Sequence, residues 1–222
     1  NADISALGLR GAPLSLADGD LFDTHLRAIV RAAGYGPVRV LVPMISNREE
    51  IVAVRKRLKR VADKLRKEGA EVADDIPLGA MIEVPAAAIA LHAFVDLVDF
   101  LSIGTNDLVQ YLLAADRNND ALGELYSPLN PGVVRLLKHI INVANEYDTP
   151  VAVCGEIAGD AALAPLLLAL GLTEFSLHPA TLLEVRKAIR DSNLSALKAR
   201  MPKLLQARDR SGIESWLKSS SL

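Results

Sequence analysis

Half of the 222 residues are apolar but only 4% are aromatic, so the chain can bury a large core built from Leu, Val, Ile and Ala. That composition suits a parallel sheet covered by helices and argues against an aromatic-cored β-sandwich. A formal charge of −2 with a pI near 6.1 gives no basic surface for a nucleic-acid backbone, and no apolar run approaches the roughly 20 residues of a membrane helix.

The elements, in chain order, begin with short apolar runs that predict buried strands: 6–9, 38–44, 78–84, 98–103, 151–154 and 175–177. Longer amphipathic stretches between them predict helices over 21–33, 47–67, 86–94, 107–114, 132–146, 161–170 and 181–189. In the 47–67 stretch Ile51, Val54, Leu58, Val61 and Leu65 share one face and charges cover the other. Ser46 with Glu49 has capping-box spacing at its start, and Gly69 closes it. About six βα repeats predict a parallel sheet with right-handed crossovers, followed by a more polar helical tail over 193–222. Six strands fit either an incomplete (β/α)8 barrel or a doubly wound open sheet.

Reactive groups in βα folds gather at the C-terminal ends of the strands. Here the strands run into Arg10, Pro43-Met44, Glu83, the Gly104-Thr105-Asn106-Asp107 turn and Cys154-Gly155-Glu156. Glu83 is a carboxylate in an apolar strand and needs a cation, either a metal or a structural Arg or Lys partner. Asp107 reads as a second carboxylate of the same site or as a helix N-cap. Two carboxylates without a His or Cys cluster suit Mg2+ better than zinc. Arg10, directly after a strand, suits a phosphate or carboxylate, whereas Arg117 by itself reads as a solvated surface residue more than as a ligand contact. Cys154 is the single cysteine, so an internal disulfide is excluded and a reducing cytoplasm is expected. At a strand end its thiol suits proton donation; elsewhere it would be an inert core residue.

Five motifs stand in one order: Val-Pro-Met-Ile at 42–45, Ile-Glu-Val-Pro-Ala-Ala at 82–87, Asp-Phe-Leu-Ser-Ile-Gly-Thr-Asn-Asp-Leu at 99–108, Ala-Asp-Arg-Asn-Asn-Asp at 115–120, and Cys-Gly-Glu-Ile-Ala-Gly-Asp at 154–160. Leu-Tyr-Ser-Pro-Leu-Asn-Pro at 125–131 and Glu-Phe-Ser-Leu at 174–177 extend them. The series, from about Ala6 to Ile189, resembles the C-terminal domain of the phosphoenolpyruvate–protein phosphotransferases, enzyme I of the bacterial phosphotransferase system.

The resemblance implies an incomplete α/β (β/α)8 barrel of the phosphoenolpyruvate/pyruvate-binding type over 1–192, its first two βα units missing, with 193–222 packed on it. It implies Mg2+-dependent transfer of a phosphoryl group from phosphoenolpyruvate to a histidine on another domain, then to a histidine-containing carrier protein. It assigns Glu83 and Asp107 to the metal, and Arg10, Asn106, Asp107 and Arg117 to the substrate. Cys154 becomes the donor that protonates the enolate to pyruvate. Two βα units and the phosphorylated histidine's domain are expected upstream; none of His25, His92, His139 and His178 matches that histidine. An open barrel exposes strand edges, and the family's dimer interface lies in this domain, so a homodimer is expected. Pro13 replaces a second arginine of supporting role, which slightly weakens the substrate assignment; His178-Pro179 replaces small residues, and that suggests a divergent branch. Pyruvate phosphate dikinase or phosphoenolpyruvate synthase carries similar motifs and is the nearest alternative. A non-catalytic regulatory or dimerisation module is the other; it gives no reason for the polar groups to recur at strand ends.

Overall fold

The computed structural model describes residues 10–117, 119 and 125–219. In that part five strands form one parallel sheet in the order β1 (Val40–Val42), β2 (Leu78–Ile82), β3 (Phe100–Gly104), β4 (Val151–Cys154) and β5 (Glu174–Phe175). The expected strand at 6–9 lies outside the described residues. The strands follow one another in chain order without the reversal that marks a doubly wound sheet. β5 forms at Glu174–Phe175 rather than 175–177, because its ladder to β4 pairs Ala152 with Glu174 and Val153 with Phe175.

Register places the chemistry on one face. Leu41 pairs with Gly79, Met81 with Ser102, Ser102 with Ala152, and Gly104 with Cys154. With a side-chain period of two, these residues and Glu83 point to the same side. The other side carries Val40, Val42, Leu78, Ala80, Ile82, Leu101, Ile103, Val151 and Val153, all in the hydrophobic core.

Against that core pack α1 (Gly11–Ala17), α2 (Gly19–Ala33) and α3 (Arg48–Lys67). In α3, Ile51, Val54, Leu58, Val61 and Leu65 are all buried, each side chain contributing about 1.5–3 kcal/mol. The capping box is one residue later than Ser46/Glu49: Asn47 Oδ1 accepts the Glu50 amide at 3.0 Å, and Glu50 Oε2 accepts the Asn47 amide at 3.3 Å. Gly69, with φ 81°, follows the helix in the left-handed region. The expected helix over 86–94 is instead α4 (Pro85–Ile89) followed by a tighter turn at Leu91–Ala93.

Then come α5 (Thr105–Leu113), α6 (Pro131–Glu146), α7 (Glu156–Gly159), α8 (Ala164–Leu170) and α9 (Leu182–Asp191). The tail forms α10 (Leu194–Leu205), packed on α8, and α11 (Arg210–Lys218), with Leu197, Leu204, Ile213 and Trp216 in the common core. Among the described residues no helix is long and apolar enough to cross a membrane.

Candidate functional site

Glu83 stands just past the end of β2, only 4% exposed. Its Oε1 accepts the Met44 amide at 2.7 Å. Burial drives its carboxyl above the usual range; the Met44 bond opposes this, the nearby Asp107 carboxylate adds to it, and the Arg10 charge opposes it. A hydrogen bond with the Asp107 side chain also raises it. The charged form of Glu83 is therefore disfavoured unless a cation stands beside it, and Arg10 meets only part of that need. Glu83 and Asp107 adjoin, but no group of three or more His, Cys, Asp or Glu that could hold a metal ion forms among the described residues, so an ion held by these two would take its other ligands from water or substrate oxygens.

Asp107 is not the cap of its helix. β3 runs straight into α5, whose N-cap is Gly104 without any side-chain cap bond, so Asp107 falls in the first turn. Its neighbour Asn106 is held from two sides. Asn106 Oδ1 accepts the Glu156 amide at 3.0 Å, and its carbonyl oxygen accepts the Tyr126 hydroxyl at 3.2 Å. Thr105 Oγ1 donates to the Cys154 carbonyl oxygen at 2.7 Å, tying the end of β3 to that of β4. Gly155 permits this contact: its φ is 98°, and a Cβ there would lie 2.6 Å from Thr105 Oγ1 and 2.7 Å from Asn106 Oδ1.

The Cys154 thiol donates to the Ile103 carbonyl oxygen and accepts from the Ser102 hydroxyl, both at 3.3 Å. Burial pushes the thiol up, the Ser102 bond opposes, and the Glu83 charge adds to the rise. Such a sulfur holds its proton in neutral water, which suits a proton donor better than a thiolate nucleophile.

Arg10 is exposed and its Nη1 donates to the Tyr111 hydroxyl at 3.2 Å. Arg117 is also exposed; its amide donates to Oε1 of the buried Gln110 at 3.0 Å. Burial raises Tyr126, Glu156 adds to the rise, Arg117 opposes it and Asp107 adds again, which brings Arg117 into the same neighbourhood. Tyr111 is likewise raised by burial, with Arg10 opposing and Asp107 and Glu83 adding. Glu83, Asn106, Asp107 and Cys154 thus lie at or just past the ends of β2, β3 and β4, while Arg10 is bonded to Tyr111 of α5 and Arg117 lies just beyond the end of α5. Sequence reasoning missed Gln110, Tyr111 and Tyr126. Gln110 and Tyr111 carried a usable signal, being three and four residues after Asp107 on the same helix.

The profile of the family described as "PEP-utilising enzyme, PEP-binding domain" matches residues 5–194. Among curated proteins, the chain is 45% identical to the phosphoenolpyruvate-protein phosphotransferase of Cupriavidus necator over 204 residues, 92% of this chain and 35% of that protein. The enzymes of the same name from Listeria monocytogenes (45% over 184 residues; 83% and 32%) and Priestia megaterium (39% over 214 residues; 96% and 37%) are also similar. The chain spans about a third of the length of these relatives. The chain belongs to the PEP-binding domain family of PEP-utilising enzymes.

Proposed function

We propose that this chain is the phosphoenolpyruvate-binding part of an enzyme I-type phosphotransferase, built as part of a (β/α)8 barrel with the 193–222 tail packed on it. The observation that carries this reading is a paired carboxylate set and a buried thiol at or just past the ends of β2, β3 and β4, with Arg10 bonded to α5 and Arg117 just beyond it. The unreversed strand order supports the barrel, and the names of the relatives favour enzyme I over pyruvate phosphate dikinase.

In this reading Arg10 and Arg117 grip the anionic oxygens of the substrate with their planar donors. Glu83 and Asp107 would hold Mg2+, which when bound supplies positive charge against the phosphoryl oxygens. The phosphorus–oxygen bond to the enolate breaks and a phosphorus–nitrogen bond to a histidine of another domain forms. Cys154 gives its proton to the enolate carbon, which yields pyruvate, and the thiolate regains a proton from water. The histidine-containing carrier protein is the next acceptor. Self-association and a cytoplasmic setting belong to the same proposal.

The test is calorimetric titration of phosphoenolpyruvate into a chain restored to the length of the relatives, with and without Mg2+ and beside Glu83→Gln. Mg2+-dependent binding that disappears in the variant supports the assignment. A well-folded protein that binds no phosphoenolpyruvate would sink it.

A further inference from the structure

Helix α5 touches both arginines. Tyr111 accepts from the Arg10 guanidinium at 3.2 Å, and the adjacent Gln110, 5% exposed, accepts the Arg117 amide at 3.0 Å. Both residues stand one turn beyond Asp107, at i+3 and i+4, where a helix brings side chains alongside one another. One short element therefore carries a carboxylate of the site together with an acceptor for the Arg10 guanidinium and one for the Arg117 main-chain amide. Its start is fixed in turn, because Thr105 and Asn106 are bonded to the end of β4 and the beginning of α7.

Neither arginine is held in place by burial, since both are exposed. A long guanidinium side chain in water samples many rotamers, and ordering it on binding costs free energy. A fixed acceptor beside Arg10 and a clamped backbone at Arg117 reduce that cost before the ligand arrives. The hydrogen bond at Gln110 acts on the main chain, so it sets where the Arg117 side chain starts rather than what it touches.

We propose that Tyr111 and Gln110 are positioning residues that set Arg10 and Arg117 for an anionic substrate; this rests on the phosphoenolpyruvate reading above. Neither is assigned a contact with the reacting atoms. Positioning an arginine that grips substrate and transition state alike moves KM and leaves kcat nearly unchanged. A residue that merely supports packing lowers stability without that split.

The test uses phosphoenolpyruvate-dependent phosphotransfer by the chain restored to the length of its relatives. Tyr111→Phe keeps the ring and removes the acceptor. It is expected to raise KM for phosphoenolpyruvate about 5- to 10-fold with kcat within about 2-fold. In an Arg10→Ala background the same substitution should add nothing further. An unchanged KM, or an equal effect in the Arg10→Ala background, overturns the proposal for Tyr111. Gln110→Met, of similar volume, makes the parallel cycle with Arg117→Ala and decides the matter should Tyr111→Phe fail to fold. A wild-type protein that does not bind phosphoenolpyruvate removes the functional reading and this inference together. A binding wild type with unresponsive variants removes this inference alone.

Discussion

The Met44 amide reaches Glu83 Oε1 at 2.7 Å from a left-handed backbone with φ 59°. A non-glycine residue in that conformation is costly and persists only where its surroundings enforce it. Part of the enforcement comes from Gly11, itself at φ 53°, and from the Ala12 amide, which donates to the Pro43 carbonyl oxygen at 3.1 Å. A Cβ on Gly11 would lie 2.5 Å from Met44 Cβ and 2.9 Å from the Pro43 oxygen. Gly11→Ala should therefore destabilise the chain by about 1–3 kcal/mol and displace the amide from Glu83. It should also weaken phosphoenolpyruvate binding, because Arg10 is the preceding residue. Urea unfolding and calorimetry check both effects; a variant with wild-type stability and affinity would show that the contact is incidental.

Glu83→Gln separates the fold from the site. The amide oxygen can still accept from Met44, and the amide nitrogen can donate to Asp107, so the buried hydrogen bonds survive the exchange. The change removes a buried carboxyl whose charged form is disfavoured by desolvation and by the second carboxylate beside it. Stability should be unchanged or higher, by on the order of 1 kcal/mol. Mg2+-dependent phosphoenolpyruvate affinity should fall on the order of 100-fold. Thermal unfolding paired with titration tests this; a clear loss of stability would mean that Glu83 is a structural group.

The parallel sheet was legible because its strands are short Val- and Ile-rich runs between amphipathic stretches. The carboxylates and the thiol stood out as candidates because each lies at or just past a strand end. What could not be read was the phase of local turns. Ser46/Glu49 and Asn47/Glu50 have identical spacing, and only backbone geometry selects the second. Asp107 read equally as a cap because nothing in the sequence says that α5 begins directly after Gly104. The tyrosines escaped because their value lies in contacts over long sequence separation: Tyr111 meets Arg10 from 101 residues away.

Asp23 gives a pH dependence unconnected with the site. From α2 its two oxygens bind Arg57 Nε at 2.5 Å and Arg60 Nη2 at 2.6 Å, both on α3. The Arg57 hydrogen bond, with the charges of both arginines, holds its carboxyl below the ordinary value of 3.8. A carboxyl lowered in the folded state stabilises fully above its unfolded value and loses that contribution as pH falls through the folded one. Asp23→Asn should thus lower stability on the order of 1 kcal/mol at pH 7, and the difference should vanish well below pH 4. Melting temperatures of both proteins across that range test it. A difference that persists in acid would assign the effect to packing rather than charge.

Cys154 separates binding from chemistry. Its sulfur is held between the Ser102 hydroxyl and the Ile103 carbonyl oxygen, and burial keeps it protonated. If it supplies the proton to the enolate, Cys154→Ala should leave phosphoenolpyruvate affinity within about 2-fold, since no binding contact is removed. Pyruvate formation should fall about 100- to 10,000-fold, the usual worth of a positioned general acid. Cys154→Ser keeps a hydroxyl of similar size, but its far weaker acidity should leave it nearly as impaired. Single-turnover measurement of pyruvate release beside a binding titration distinguishes the cases. Equal losses of affinity and turnover would make Cys154 a substrate contact, and full activity in both variants would move proton donation to another group, of which the Tyr126 hydroxyl, bonded to the Asn106 carbonyl oxygen, is the first to test.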